Sequence, residues 1–142
     1  MLACSSERSA ILCPPIKFGR FFMPQVIDIK EKLSTFNSHW TPKVIAELNG
    51  QHVKVAKLLG SFDWHFHEDE DELFWVISGK LVIHFRDSSI ELHPGQLCVI
   101  PKGIEHQPVA EEECEIALFE PASTLNTGNL KNTRTVSHPD HI

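Results

Sequence analysis

Turn signals cut the chain from Pro42 to Pro121 into short apolar runs, and that cadence leaves little choice of fold. Asn49-Gly50, Ser78-Gly79, Pro94-Gly95 and Pro101-Lys102-Gly103 mark the breaks. Between them lie Val44 to Leu48, Val53 to Leu59, Asp63 to His67, Leu73 to Ile77, Leu81 to Phe85, Ile90 to Leu92, Gln96 to Ile100 and Ile116 to Phe119. Asn-Gly between two apolar runs is the strongest two-residue hairpin signal. Strands this short, with turns throughout, predict an all-β sandwich or barrel. Ahead of them, Ile29, Leu33 and Phe36 recur at helical spacing with charges between, so Ile27 to Phe36 predicts one short helix.

The ends of the chain read differently. Residues 1–22 show no periodicity, a Pro14-Pro15 pair and two of the four cysteines. They lack the basic head and sustained apolar stretch of a secretory signal. This stretch is either an extension upstream of a working start at Met23 or a flexible arm. The expected organisation is then a helical segment over 23–41, a barrel over 42–121 and a polar tail over 122–142. With 142 residues and 42% hydrophobic content, one domain with one core is the natural size.

Composition excludes several partners. A net charge of −6 offers no electrostatic footprint for nucleic acid or anionic membranes. No apolar run approaches the roughly 18 residues that a membrane helix needs. Fewer than sixty residues precede the barrel, and they carry no helix-turn-helix pattern. Cys4, Cys13, Cys98 and Cys114 form no CxxC pair, which points to free thiols and a cytoplasmic protein.

Chemistry concentrates in four residues: His65, His67, Glu72 and His106. Imidazoles at i and i+2 project from one face of a strand, because side chains alternate with period two. A carboxylate from the next strand and a third imidazole from a distant one would complete a first shell for a divalent metal. Nitrogen and oxygen ligands without thiolate suit Fe, Mn, Ni, Co, Cu or Zn.

These residues resemble the two motifs of the cupins. His65-Phe66-His67, four residues, Glu72, six residues and Gly79 follow the first motif. Gly95, five residues, Pro101-Lys102-Gly103, two residues and His106 follow the second. Two departures stand out. Four residues separate Gly60 from His65 where the family usually has five, and Ala110 replaces a frequent asparagine. The resemblance covers roughly residues 42–120. It implies a cupin double-stranded β-helix, a jelly-roll barrel, and the ligand set His65, His67, Glu72 and His106. Of the crowded acidic residues, only Glu72 lies at a family spacing, so Glu68, Asp69, Glu70 and Asp71 are read as solvated loop charge. The wording around the motifs and the Glu120 to Asn129 segment is most similar to small single-domain cupins grouped with mannose-6-phosphate isomerase.

Parity within strands adds further expectations. Phe74 and Val76 share a face with Glu72 and should line the pocket near the metal. Leu73, Trp75 and Ile77 make the other face equally apolar, where a sheet wetted on one side should alternate. A partner chain in a homodimer is the favoured cover, with the chain's own N-terminal segment as the alternative. His84 is read as outward-facing rather than a general base, and Glu111 to Glu113 as a solvated hairpin tip. No second carboxylate or histidine has a secure place inside the barrel.

Cupins span isomerases, dioxygenases, decarboxylases, lyases, sugar-binding modules and storage proteins, so fold does not give function. Two readings therefore stand. One is a metal-dependent enzyme of isomerase, dioxygenase or lyase type acting on a small polar or anionic metabolite, sugar-like or keto-acid. The other is a metal-dependent binding or sensing module without turnover.

Overall fold

The computed structural model describes residues 24–142. The expectations for residues 1–22, and Met23 itself, lie outside the described residues. One helix and seven strands follow in chain order: α1 (Ile29–Ser34), β1 (Lys43–Leu48), β2 (Gln51–Ser61), β3 (Glu72–Ser78), β4 (Leu81–His84), β5 (Ser89–Leu92), β6 (Leu97–Ile100) and β7 (Gln107–Pro121). Asp28 begins the helix as its N-cap, accepting from the Glu31 N–H at 3.0 Å. Asn49 and Gly50 both take positive φ at the β1–β2 hairpin, as a tight turn with the strands' twist requires.

Every strand pairing is antiparallel, with neighbours running β1-β2-β7-β3-β6 and β4 joining both β5 and β7. β7 organises the barrel. From Val109 to Pro121 it lies beside β2, while on its other side it pairs with β4 over Gln107 to Val109 and with β3 over Glu115 to Phe119. Glu111 to Glu113 sit where it changes partner. Leu58 pairs with Cys114 and Gly60 with Ala110, so three glutamates face the single residue Leu59. They are solvated as expected, but they form a bulge within one strand rather than a hairpin tip. Like charges at adjacent exposed positions favour that outward excursion. Gly79 is tied to it: a Cβ there would lie 2.6 Å from the Glu113 carbonyl oxygen.

Alternation delivers the core. Ala56 and Leu58 of β2, Phe74 and Val76 of β3, Leu81 and Ile83 of β4, and Ile116 and Leu118 of β7 turn inward and pack together. The outer face is covered in two different ways. Over β2, the helical segment does it: Leu33 and Val55 are fully buried, and the Lys57 ammonium lies over the Phe36 ring. Over β3 and β6, Trp75, Leu97 and Val99 stay exposed.

Two segments depart from expectation. Asp63 to His67 is not a strand but an extended connection carrying one isolated bridge, between His65 and His106. The segment after Pro121 is not a free tail. Its backbone bonds Phe66 through Asn129, and its end runs beside β1, where Val44 N–H donates to the Asp140 carbonyl at 2.8 Å and Ile142 N–H to the Val44 carbonyl at 3.0 Å. Buried backbone must find partners, and here the edge of β1 provides them.

Candidate metal centre

His65 and His106 are brought together by their own backbones. Each donates its N–H to the other's carbonyl, at 3.0 and 2.9 Å, which sets their rings 4.4 Å apart. His67 follows at i+2, its carbonyl accepting from Gly103 N–H at 2.6 Å, so the Pro101–Gly103 turn grips the histidine segment. Asp71 adds a second tie by accepting from Lys102 N–H at 2.9 Å. That carboxylate, read from sequence as solvated charge, is a structural link between the two motifs. Glu72 opens β3 opposite Ile100 of β6.

All four candidate ligands converge. His65, His67, Glu72 and His106 are buried, and their ligating atoms lie within 4.8 Å of one another. Glu72 Oε2 stands 3.2 Å from His67 Nε2 and 3.3 Å from His106 Nε2. Yet none of these three atoms completes an aligned hydrogen bond. Leaving three buried polar atoms unpartnered is costly unless something else engages them. Atoms held about 2.1 Å from one ion sit roughly 3 Å apart when adjacent, close to the contacts seen here. The tautomers agree. His65 Nδ1 donates to the Asp63 carbonyl and His106 Nδ1 to the Ile104 carbonyl, each at 2.9 Å, which leaves both Nε2 lone pairs facing inward. These residues fit a divalent metal.

Electrostatics point the same way. Burial, reinforced by His106, pushes His65 down to about 4, so its ring stays neutral. Burial opposes the charge on Glu72, but the two imidazoles beside it outweigh that and hold its carboxyl at about 2. His67 is raised, since the Glu72 carboxylate more than offsets the burial that would lower it.

Phe74 lines the cavity next to Glu72 and His65, with its ring edge-on to His106. Val76, expected beside it but two residues further along β3, is fully buried in the apolar core and is not among the residues lining this cavity. His84 is partly buried on the face away from the core, as expected. Cys98 and Cys114 are free, and burial pushes each thiol up to about 11, so neither is an activated nucleophile.

Sequence reasoning missed two charged residues. Lys54 and Glu120 are both buried, and Lys54 Nζ donates to Glu120 Oε1 at 2.7 Å. Glu120 Oε2 has no partner. Parity carries the signal: Lys54 continues the inward series Leu58 and Ala56, and Glu120 continues Ile116 and Leu118. Leu73 pairs with Phe119, so one step outward Glu120 falls opposite Glu72. Burial, and behind it the Glu72 charge, raise the Glu120 carboxyl to about 7 despite Lys54.

The segment after β7 closes the mouth. Phe66 N–H donates to Asn129 Oδ1 at 3.0 Å, Arg134 donates to the Ser61 carbonyl, and Asn132 donates to Asp63. Gly128, at φ +53°, lies so close to the histidine segment that a Cβ would stand 2.2 Å from the Phe66 carbonyl oxygen. Gly128→Ala should therefore cost at least about 1 kcal/mol in stability, because neither the backbone nor the space suits a side chain. Faster amide exchange across residues 126–136 would report it; unchanged exchange would count against this packing. Beneath the cover the cavity holds about 30 Å³, room for one or two waters. A groove of about 190 Å³ lined by His67, Glu68, Glu70, Ser123 and Asn129 lies alongside.

Comparison with known proteins agrees with this geometry. The family described as "Cupin domain" matches residues 51–119. A cupin-2 domain containing protein from Shewanella frigidimarina is 52% identical, covers 68% of this chain and 94% of its own, and superposes with a TM-score of 0.67. The chain belongs to the cupin superfamily. The protein NMB1881 from Neisseria meningitidis is 29% identical with a TM-score of 0.64, covering 69% of this cupin and all of itself (100%). The uncharacterized protein YdbB of Bacillus subtilis (strain 168) is 38% identical over 81 residues, which are 56% of this cupin and 66% of YdbB.

Proposed function

We propose that this cupin is a metal-dependent enzyme acting on a small polar metabolite. The observation that carries the reading is the buried His65, His67, Glu72 and His106 group, whose inward atoms lack other partners. One of Fe, Mn, Ni, Co, Cu or Zn suits the donor set. Three neutral imidazoles and one carboxylate leave a divalent ion one net positive charge and an open position, where it would act as a Lewis acid on a bound oxygen.

The chain's own residues supply the rest. Lys54 holds Oε1 of Glu120, which leaves Oε2 to take a proton or a substrate hydroxyl. Phe74 and Phe62 give the cavity apolar walls. Glu68 and Glu70 at the adjacent groove favour a neutral, sugar-like ligand over an anionic one. Isomerase-type proton transfer uses all of these parts. The unpaired thiols Cys98 and Cys114 are in keeping with a cytoplasmic location.

Elemental analysis of protein purified without added metal tests the reading, followed by thermal-shift and product screens with sugars, sugar phosphates and keto acids. A full complement of one transition metal with product from a sugar-like substrate supports it. Ligand-dependent shifts without product would favour a binding module instead, and absence of any bound metal would overturn both.

A homodimer belongs to the same proposal. β6 ends the sheet, and Trp75, Leu97 and Val99 expose an apolar face beside that edge. Two copies paired edge to edge about a twofold axis would cover both. Sedimentation should give a dimer that Val99→Lys converts to monomer; a monomeric parent protein would end the idea.

A further inference from the structure

A second group of metal-binding side chains lies on the outside of the barrel. Glu47 of β1, His52 of β2 and His141 near the end of the chain bring their ligating atoms within 4.8 Å of one another. Glu47 Oε1 stands 3.5 Å from His52 Nε2 and 3.6 Å from His141 Nδ1. The two rings meet edge to face at 5.7 Å. Ligands about 2.0–2.1 Å from a tetrahedral ion are separated by roughly 3.3 Å, so small side-chain adjustments suffice.

The fold explains why these three meet. Glu47 and His52 are cross-strand partners in the β1–β2 hairpin, so the Asn49-Gly50 turn sets their separation. His141 arrives because the chain's end runs parallel beside β1, with Val44 opposite it and Lys43 Nζ on Asp140 Oδ2 at 2.5 Å. Two of the three ligands are thus fixed by the hairpin, and the third by backbone hydrogen bonds on either side of it. His52 is only partly exposed, so little side-chain freedom is lost on coordination. Its Nδ1 is buried without a partner.

We propose that Glu47, His52 and His141 form a second divalent-metal site, selective for Zn²⁺-like ions, that clamps the end of the chain to the β1–β2 hairpin. Two imidazoles and a carboxylate with a water completing the shell are a donor set for zinc and its neighbours, not for Mg²⁺ or Ca²⁺. The clamp acts on the same segment whose earlier residues cover the mouth of the buried centre. It is independent of that centre's occupancy, since no ligand is shared.

Zinc titration of the full chain, with bound metal counted after dialysis, tests the site. The unchanged protein should hold two Zn²⁺, and His141→Ala and Glu47→Gln should each hold one. Glu72→Gln should also hold one, and Glu72→Gln combined with His141→Ala none. Carboxypeptidase release of the terminal residues should slow at least tenfold with Zn²⁺ in the parent protein and stay unchanged in Glu47→Gln, a readout untouched by the buried centre. A parent that holds one ion, lost in His141→Ala and kept in Glu72→Gln, would support the clamp while removing the buried metal. Equal zinc content in the parent, His141→Ala and Glu47→Gln chains, or outer binding only at millimolar zinc (an adventitious ion only), would overturn the proposal.

Discussion

Glu72→Gln is expected to fold and to lose the buried metal, with an affinity drop of at least about 100-fold. Loss of a partner one shell further out already costs roughly 10–100-fold, so losing the one carboxylate ligand should cost more. The fold should survive because the amide keeps the volume of the side chain, and its NH2 can donate to the unprotonated ring nitrogens of His67 or His106, 3.2 and 3.3 Å from Glu72 Oε2. In the parent chain, metal at a hundred times its Kd adds about 2.7 kcal/mol to stability. For a domain of this size that is a rise of roughly 10 °C in Tm. Thermal unfolding with and without metal should therefore separate the parent from Glu72→Gln, which should shift only as far as the outer site allows. A variant with parental metal content and a parental shift would show that Glu72 is not a ligand.

Breaking the buried pair beside the centre should have the largest effect on stability. In Lys54→Met, Glu120 keeps its place inside the barrel without the ammonium that held it, and such losses run to about 3–5 kcal/mol. Lys54→Met combined with Glu120→Leu should recover most of that, because apolar groups of similar volume replace a buried pair at little net cost. The pH dependence has a definite sign. Glu120 carries a folded-state pKa of about 7, raised from 4.5, so between those values the native chain holds more protons than the unfolded one. Its contribution to stability is thus present at low pH and fades as pH rises through the folded value. Lys54→Met should lose more stability at pH 8 than at pH 5, measured by urea unfolding of metal-free protein. A pH-independent loss, or a double variant no better than the single one, would mean that the pair does not behave as a buried charge.

Much of this protein was readable because its signals are local. Turn dipeptides such as Asn49-Gly50 dictate backbone geometry within a few residues, and six strands fell where the punctuation placed them; β7 runs Gln107–Pro121 where only Ile116 to Phe119 was expected. The candidate ligand set was equally legible, since His65 and His67 share a face through period two and the Pro101–Gly103 turn delivers His106 a fixed distance later. Period two held even where no continuous strand formed. The Asp63 to His67 stretch stays extended through a single bridge, and both histidines still point inward.

What sequence alone determined, then, is the punctuation, the inward parity and the four candidate ligands that the fold brings together, because each depends on chemistry within a few positions. The tertiary structure decided which strands adjoin. That β7 lies between β2 and β3 joins Lys54 to Glu120 across sixty-six positions, and puts a second carboxylate next to Glu72. The same pairing turned Glu111 to Glu113 into a bulge and left the β1 edge free to receive the end of the chain. Strand order is a non-local property, set by the joint burial of faces from distant segments, and no window of sequence contains it.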